Sequence, residues 1–161
     1  MIFVCVGSRG YQFNRLLKQM DKLVAEGTIT EEVFAQTGLS DYTPIHYSYK
    51  KYMDVDQFKK MQRKADLIVS HAGTGALVSA LKIGKQVIAV PRRKKYGEHI
   101  DDHQLQVAEA LESQGYLFVV REMEELGPVI LRAKEHPINK KYEIPSNVIK
   151  MIDNYIQGEF R

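Results

Sequence analysis

Across 161 residues, apolar types make up 44% and charged types 27%, with 11 Gly, 5 Pro and one Cys. That mix excludes a disordered chain, a collagen-like chain and a disulfide-stapled scaffold, and the length suits one domain, 1–161, with a core of its own. The net charge of +3 leaves an anionic ligand or an anionic membrane surface open and singles out neither.

Residues 2–6 (IFVCV) are an apolar run with no polar alternation, which predicts a strand covered on both faces and ending at Gly7. A helix is predicted at about 12–25, its apolar stripe formed by Phe13, Leu16, Leu17, Met20, Leu23 and Val24 and its end marked by Gly27. Strands follow at 33–36, stopped by Thr37-Gly38, and at 45–49. A helix at about 54–64 has Asp54 as its N-cap candidate. Residues 66–70 are a strand, HAGTG opens a helix at about 74–83 with Thr74 able to cap, and 86–90 is a strand stopped by Pro91. A charged loop, 92–101, leads to a helix at about 102–113, a strand at 116–120 and helices at about 122–135 and 146–157. Strands alternating with helices predict an α/β fold, a doubly wound, Rossmann-like parallel sheet.

In such sheets ligands sit beyond the carboxyl ends of the strands, a rim that collects Gly7–Gly10, Gly38, Ser70–Gly75 and Pro91–Asp102. VGSRG at 6–10 is either an anion-binding turn or a tight strand-to-helix turn. It is not the GxGxxG fingerprint, and the second strand ends Gln36-Thr37-Gly38 with no acid, so a nicotinamide enzyme is a poor reading; a Walker A loop is absent. SHAGTGALVSAL at 70–81 sets small residues at a helix start, where free N–H groups suit a diphosphate or, alternatively, the helix packs closely on the sheet. PRRKKYGEHIDDHQ at 91–104 contains the loop 92–101, which reads either as a lid with Gly97 as hinge, mobile without ligand, or as a loop already fixed by salt bridges. Its His99, His103, Glu98, Asp101 and Asp102 match no standard zinc spacing, and no metal is expected. Arg92–Lys95 lacks the aromatic ladder or basic helix of a nucleic-acid binder; a phosphate or headgroup contact fits better.

Taken together, MIFVCVGS, FNRLL, VFAQTG, HAG and VPRRKKYGEHIDDHQ resemble the C-terminal domain of glycosyltransferase family 28, over nearly the whole chain. The likeness extends to the small catalytic subunits of split bacterial exopolysaccharide and capsule transferases and to their eukaryotic dolichol-linked relative. The resemblance implies the C-terminal half of a GT-B fold and a UDP-sugar donor site, in an inverting, metal-independent hexosyltransferase that needs no cofactor. It implies that Gly7, Ser8, Gly73, Thr74, Gly75 and Ala76 face the donor, with Ala76 where single-chain members have a threonine. His103 and Gln104 match a Gln-Gln pair on the sugar hydroxyls, and Ser79 falls where the family has the acid that holds the ribose. Relatives read VGTHEQPF and HGGPST where this chain has VGSRGYQF and HAGTGA.

Transfer from UDP requires stabilisation of a leaving diphosphate and a base for the acceptor hydroxyl. Arg9 is the candidate cation, the alternative being a surface arginine, and His71 the candidate base within this chain, the alternative being a hydrogen-bonded structural histidine. The expected partner is a membrane-anchored, acceptor-binding subunit that presents a lipid-linked acceptor; the rival is a non-catalytic nucleotide-sugar-binding subunit. The chain is expected to be inactive alone, cytoplasmic, and peripheral at the membrane through its partner. The absence of a run of about 20 apolar residues, the absence of a basic region before MIFVCVGS and the lone Cys5 all motivate that location. The stripe Val148, Ile149, Ile152, Tyr155 and Ile156 on the last predicted helix either packs on the sheet or docks the partner.

Overall fold

The computed structural model describes residues 1–143. Strands β1 (Ile2–Cys5), β2 (Val33–Gln36), β3 (Ser48–Lys50), β4 (Leu67–Ser70), β5 (Gln86–Ala89) and β6 (Phe118–Val119) form one sheet in the order β3-β2-β1-β4-β5-β6. Every pairing is parallel, with Ile2 opposite Val33 on one side and Leu67 on the other. The helices are α1 (Asn14–Ala25), α2 (Val55–Lys64), α3 (Thr74–Lys82), α4 (His103–Ser113) and α5 (Leu126–Glu135). The predicted helix 146–157, with its apolar stripe, lies outside the described residues.

The pleat sorts the core into two layers. Ile2, Val4 and Val6 point to one face and meet Leu16, Leu17 and Met20 of α1 and Leu126 and Ile130 of α5. Phe3 and Cys5 point to the other and meet Leu77 and Leu81 of α3 and Leu111 of α4. Both faces of β1 are therefore buried, which is why its sequence shows no polar alternation. Each fully buried Leu, Ile or Val contributes roughly 1.5–3 kcal/mol. Asp54 caps α2 as predicted, accepting from the Gln57 N–H at 2.7 Å.

Three predicted elements shift. The strand at 45–49 becomes Ser48–Lys50, because Tyr47 turns inward and donates its hydroxyl to the Leu17 carbonyl at 3.0 Å, leaving an exposed edge strand. The strand at 116–120 shortens to Phe118–Val119. The helix at 122–135 splits into a 3₁₀ turn, Met123–Glu125, and α5. Pro128 explains the split: without an N–H it fits only the first turn of an α-helix. Among the described residues no helix is long and apolar enough to cross a membrane.

Candidate functional site

The sheet order reverses direction between β1 and β4, and the loops after these two strands diverge there. The first, Gly7–Gly10, has no backbone partner for any of its N–H groups among the described residues. The second runs from His71 to Gly73 and opens α3. Thr74 does not cap that helix as expected: Gly73 occupies the cap and Thr74 is already in the first turn. Among the described residues no side chain caps α3, and the N–H groups of Thr74, Gly75 and Ala76 have no backbone partner. Ala72 takes a left-handed φ of 65°, an unfavourable conformation for a residue with a Cβ, at the bend that aims this helix start.

Two hollows share these loops. The larger, about 620 Å³, is lined by Gly7, Ser8, Arg9, the 71–76 loop, Arg92, His99–Asp101, His103 and Gln104. The smaller, about 250 Å³, is lined by Cys5, Gly7, Ser8, Gln36, Tyr52, Met53, Phe58, His71, Gly75, Ala76 and Ser79. All the predicted site residues (Gly7, Ser8, Arg9, His71, Gly73, Thr74, Gly75, Ala76, Ser79, His103 and Gln104) line one or both.

His71 stands between the two hollows, and its environment does not suit the role of base. Its ring is buried, and Nδ1 donates to the Cys5 carbonyl at 3.1 Å. Burial, with the Arg92 charge nearby, pushes its pKa down to about 3. In the free chain this keeps the imidazole neutral and makes it a weaker proton acceptor than an ordinary histidine. Its packing role is plain instead: a Cβ on Gly7 would come within 2.7 Å of Nε2, and one on Gly73 would collide with the same atom. Gly7 and Gly73 are both needed to seat this one ring.

Ser79 is half-buried, and its hydroxyl is already engaged. It donates to the Ala76 carbonyl at 3.1 Å and accepts from Gln62 Nε2 at 2.9 Å. Gln62, itself buried, escaped sequence reasoning because it sits among the charged residues of α2. Gln36 was also missed; its Nε2 ties the Gly7 carbonyl at 3.0 Å to the Lys51 carbonyl at 2.9 Å, fixing the end of β1. Gln104 accepts from the Arg92 N–H through Oε1 at 3.1 Å, which leaves its Nε2 without a protein partner among the described residues. His103 Nε2 is buried and unpaired at the edge of the larger hollow.

The 92–101 loop is anchored rather than free. Glu98, 1% exposed, accepts from Arg15 Nε at 2.7 Å and Nη2 at 3.0 Å, and from the Arg93 N–H at 3.0 Å. Asp102 accepts from the Lys94 N–H at 2.9 Å. Arg92 is no surface cation either: it is 2% exposed, and its Nη2 donates to the carbonyls of Val6 and Tyr11. The expectation that Arg92 joins a headgroup contact is therefore corrected, and the geometry argues against the loop swinging as one lid. Among the described residues no cluster of three or more His, Cys, Asp or Glu side chains could hold a metal ion.

The Glycosyltransferase family 28 C-terminal domain family matches residues 1–154. The chain belongs to this family. Its likeness to individual members is spread over the same region. The human UDP-N-acetylglucosamine transferase subunit ALG13 is 34% identical over 113 residues, 70% of this chain and 8% of the human protein. The UDP-N-acetylglucosamine–N-acetylmuramyl-(pentapeptide) pyrophosphoryl-undecaprenol N-acetylglucosamine transferase of Geobacter sulfurreducens is 33% identical over 105 residues, 61% of this chain and 28% of that protein. The chain therefore spans well under half the length of both relatives. Among solved structures, the NMR structure of ALG13 superposes with a TM-score of 0.62 at 17% identity, covering 96% of each chain. The Acinetobacter baumannii MurG crystal structure gives 0.56 at 16% identity, over 96% of this chain and 49% of that one. These superpositions place the family 28 chain in the same fold as one half of a GT-B transferase.

Proposed function

We propose that this family 28 chain is the donor-binding subunit of a UDP-sugar-dependent glycosyltransferase, acting with a partner that holds the acceptor. The observation that supports this reading best is that the open α3 N-terminus and the unpartnered Gly7–Arg9 amides line one hollow at the strand switch point. Such amides favour a diphosphate. The smaller, more apolar hollow beside Tyr52, Met53 and Phe58 suits the uridine, and the larger, with Gln104 and the unpaired His103 Nε2, suits the hexose. Arg9, exposed at the rim, is the cation for the leaving diphosphate. The site reading needs neither a metal nor a cofactor.

By analogy with the relative named as a subunit, the partner is a membrane-anchored transferase chain presenting a lipid-linked acceptor, with capsule or exopolysaccharide assembly as the setting. The pair is a heterodimer, cytoplasmic and peripheral at the membrane, and transfers a hexose with inversion. The unsuitability of His71 as a base favours a partner that supplies one. The same observation keeps a second reading in view, a subunit that binds the nucleotide sugar without catalysing transfer.

Calorimetry with UDP in excess chelator tests the donor site. Binding that survives chelator and perturbs Ser8, Gly73–Ala76 and Gln104 is expected; binding lost with the metal, or mapped elsewhere, overturns it. Transfer of labelled sugar by the purified pair, abolished by Gln104→Ala, separates catalysis from binding alone.

A further inference from the structure

A buried arginine that the donor reading does not use lies beneath the first loop. Arg92 is 2% exposed and follows β5, yet its guanidinium reaches across to β1. Nη2 donates to the carbonyls of Val6, just before the Gly7–Gly10 loop, and of Tyr11, just after it. Nε is buried with no partner. The ring of Phe13 lies 5.5 Å from the guanidinium carbon. Among the described residues Arg92 makes no close ion pair: Glu98, the buried acid on its own loop, lies near enough to favour its charge but is bonded to Arg15, so one acid serves two guanidinium groups.

A buried cation without a counter-ion is costly, and proteins keep one where something else supplies the negative charge. The hollow that Arg92 lines is also lined by Gly7–Arg9 and Thr74–Ala76, whose amides have no backbone partner among the described residues. We infer that Arg92 is a positioning residue for the diphosphate of the ligand. It clamps both ends of the first loop so that the loop's amides turn to the hollow, and it leaves there a net positive charge that only an anion neutralises. The inference rests on the donor reading for the identity of the ligand, but the anion preference stands on the arginine alone.

The two roles predict a particular pattern of loss. Without the arginine, affinity for the phosphate part falls while affinity for the nucleoside part stays. Wild type, Arg92→Met and Arg92→Lys are compared by amide chemical-shift titration with UDP, uridine and inorganic pyrophosphate. For Arg92→Met we expect UDP and pyrophosphate to bind about 10-fold or more weakly, and uridine within about 2-fold of wild type. Arg92→Lys keeps the charge and loses the fork, so it recovers part of the loss for both anions. It also serves if the methionine variant does not fold. The carbon-bound ring protons of His71 provide a separate readout: removing the arginine charge raises its pKa, and the lysine variant restores it. A folded Arg92→Met that binds UDP as wild type does, or either variant losing uridine and UDP equally, overturns the inference. Wild type that binds pyrophosphate but not UDP removes the nucleotide reading and leaves the anion site standing; wild type that binds neither overturns both.

Discussion

The imidazole of His71 occupies the place that the side chain of any residue but glycine at position 73 would need. Lacking a Cβ, Gly73 lets the ring pack against the start of α3. Gly75, two residues on, has open space around its missing Cβ.

That contrast yields a paired test. Gly73→Ala should cost about 1–3 kcal/mol through overpacking and abolish UDP binding, because either the ring or the helix start must move. Gly75→Ala should leave the fold intact and add up to about 1 kcal/mol of helix stability. Urea unfolding and UDP calorimetry on both variants check this; equal tolerance at the two positions would show that the ring does not shape the site.

The loop after β5 depends on a single buried acid. Arg15→Ala leaves Glu98 without its two-pronged partner and should destabilise the chain by about 3 kcal/mol. Glu98→Gln, which can still accept from the Arg93 N–H, should cost less. Hydrogen exchange should rise across residues 93–101 in Arg15→Ala. Unchanged exchange there would mean that the loop is held without the Arg15 pair, by contacts such as Asp102 to the Lys94 N–H.

Histidine 71 makes stability pH-dependent in a known direction. Its folded pKa, about 3, lies below the ordinary histidine value of 6.5, so the unfolded chain binds the extra proton first. Stability is then full above about pH 6.5 and falls as pH drops toward 3, with a slope approaching about 1.4 kcal/mol per pH unit. Urea midpoints between pH 7 and 4 measure it, and His71→Asn should flatten the slope. A bound diphosphate should act the other way on the ring and raise its pKa.

Asp21 pins the loop between β2 and β3. Its buried carboxylate accepts from the Tyr42 hydroxyl at 2.6 Å, the Ile45 N–H at 2.9 Å and the His46 N–H at 2.8 Å. Burial alone would raise its pKa, but these bonds together outweigh it and hold the carboxyl below its usual value. Its contribution is present above the unfolded pKa and is lost as pH falls through the folded one. Asp21→Asn, which presents N–H to donors, should cost about 1–3 kcal/mol. Circular dichroism melts check the size, and a melt unchanged at neutral pH would show the loop to be held otherwise.

Much of this architecture was readable from periodicity. Ile2–Cys5 and Leu67–Ser70 are uninterrupted because both their faces are covered, and Asp54 announces its helix by a side chain that can reach only a helix start. The small residues of both rim loops were readable as close-approach positions. What escaped is long-range and polar. Arg92 and Glu98 sit in a run, PRRKKYGEH, whose composition reads as solvated, and only the fold shows that two of its charges turn inward. The partners of these residues, Val6, Tyr11 and Arg15, are more than 75 positions away, beyond the reach of local pattern. Tyr47 misled for the same reason, since its inward turn is decided by the Leu17 carbonyl on another element.

The strand order also governs when the site can exist. β1 is made first but lies at the centre of the sheet, and the loop that follows it meets its counterpart only when Ile2 pairs with Leu67. A nascent chain that has not yet released β4 from the ribosome has a first loop with nothing opposite it. Closing the seam between the two halves of the sheet and acquiring the binding hollow are one event, and it is a non-local one of the kind that folds slowly. Donor binding thus serves as a reporter of that seam: a substitution that loosens the β1–β4 pairing, however far from the rim, parts the two loops and should empty the site.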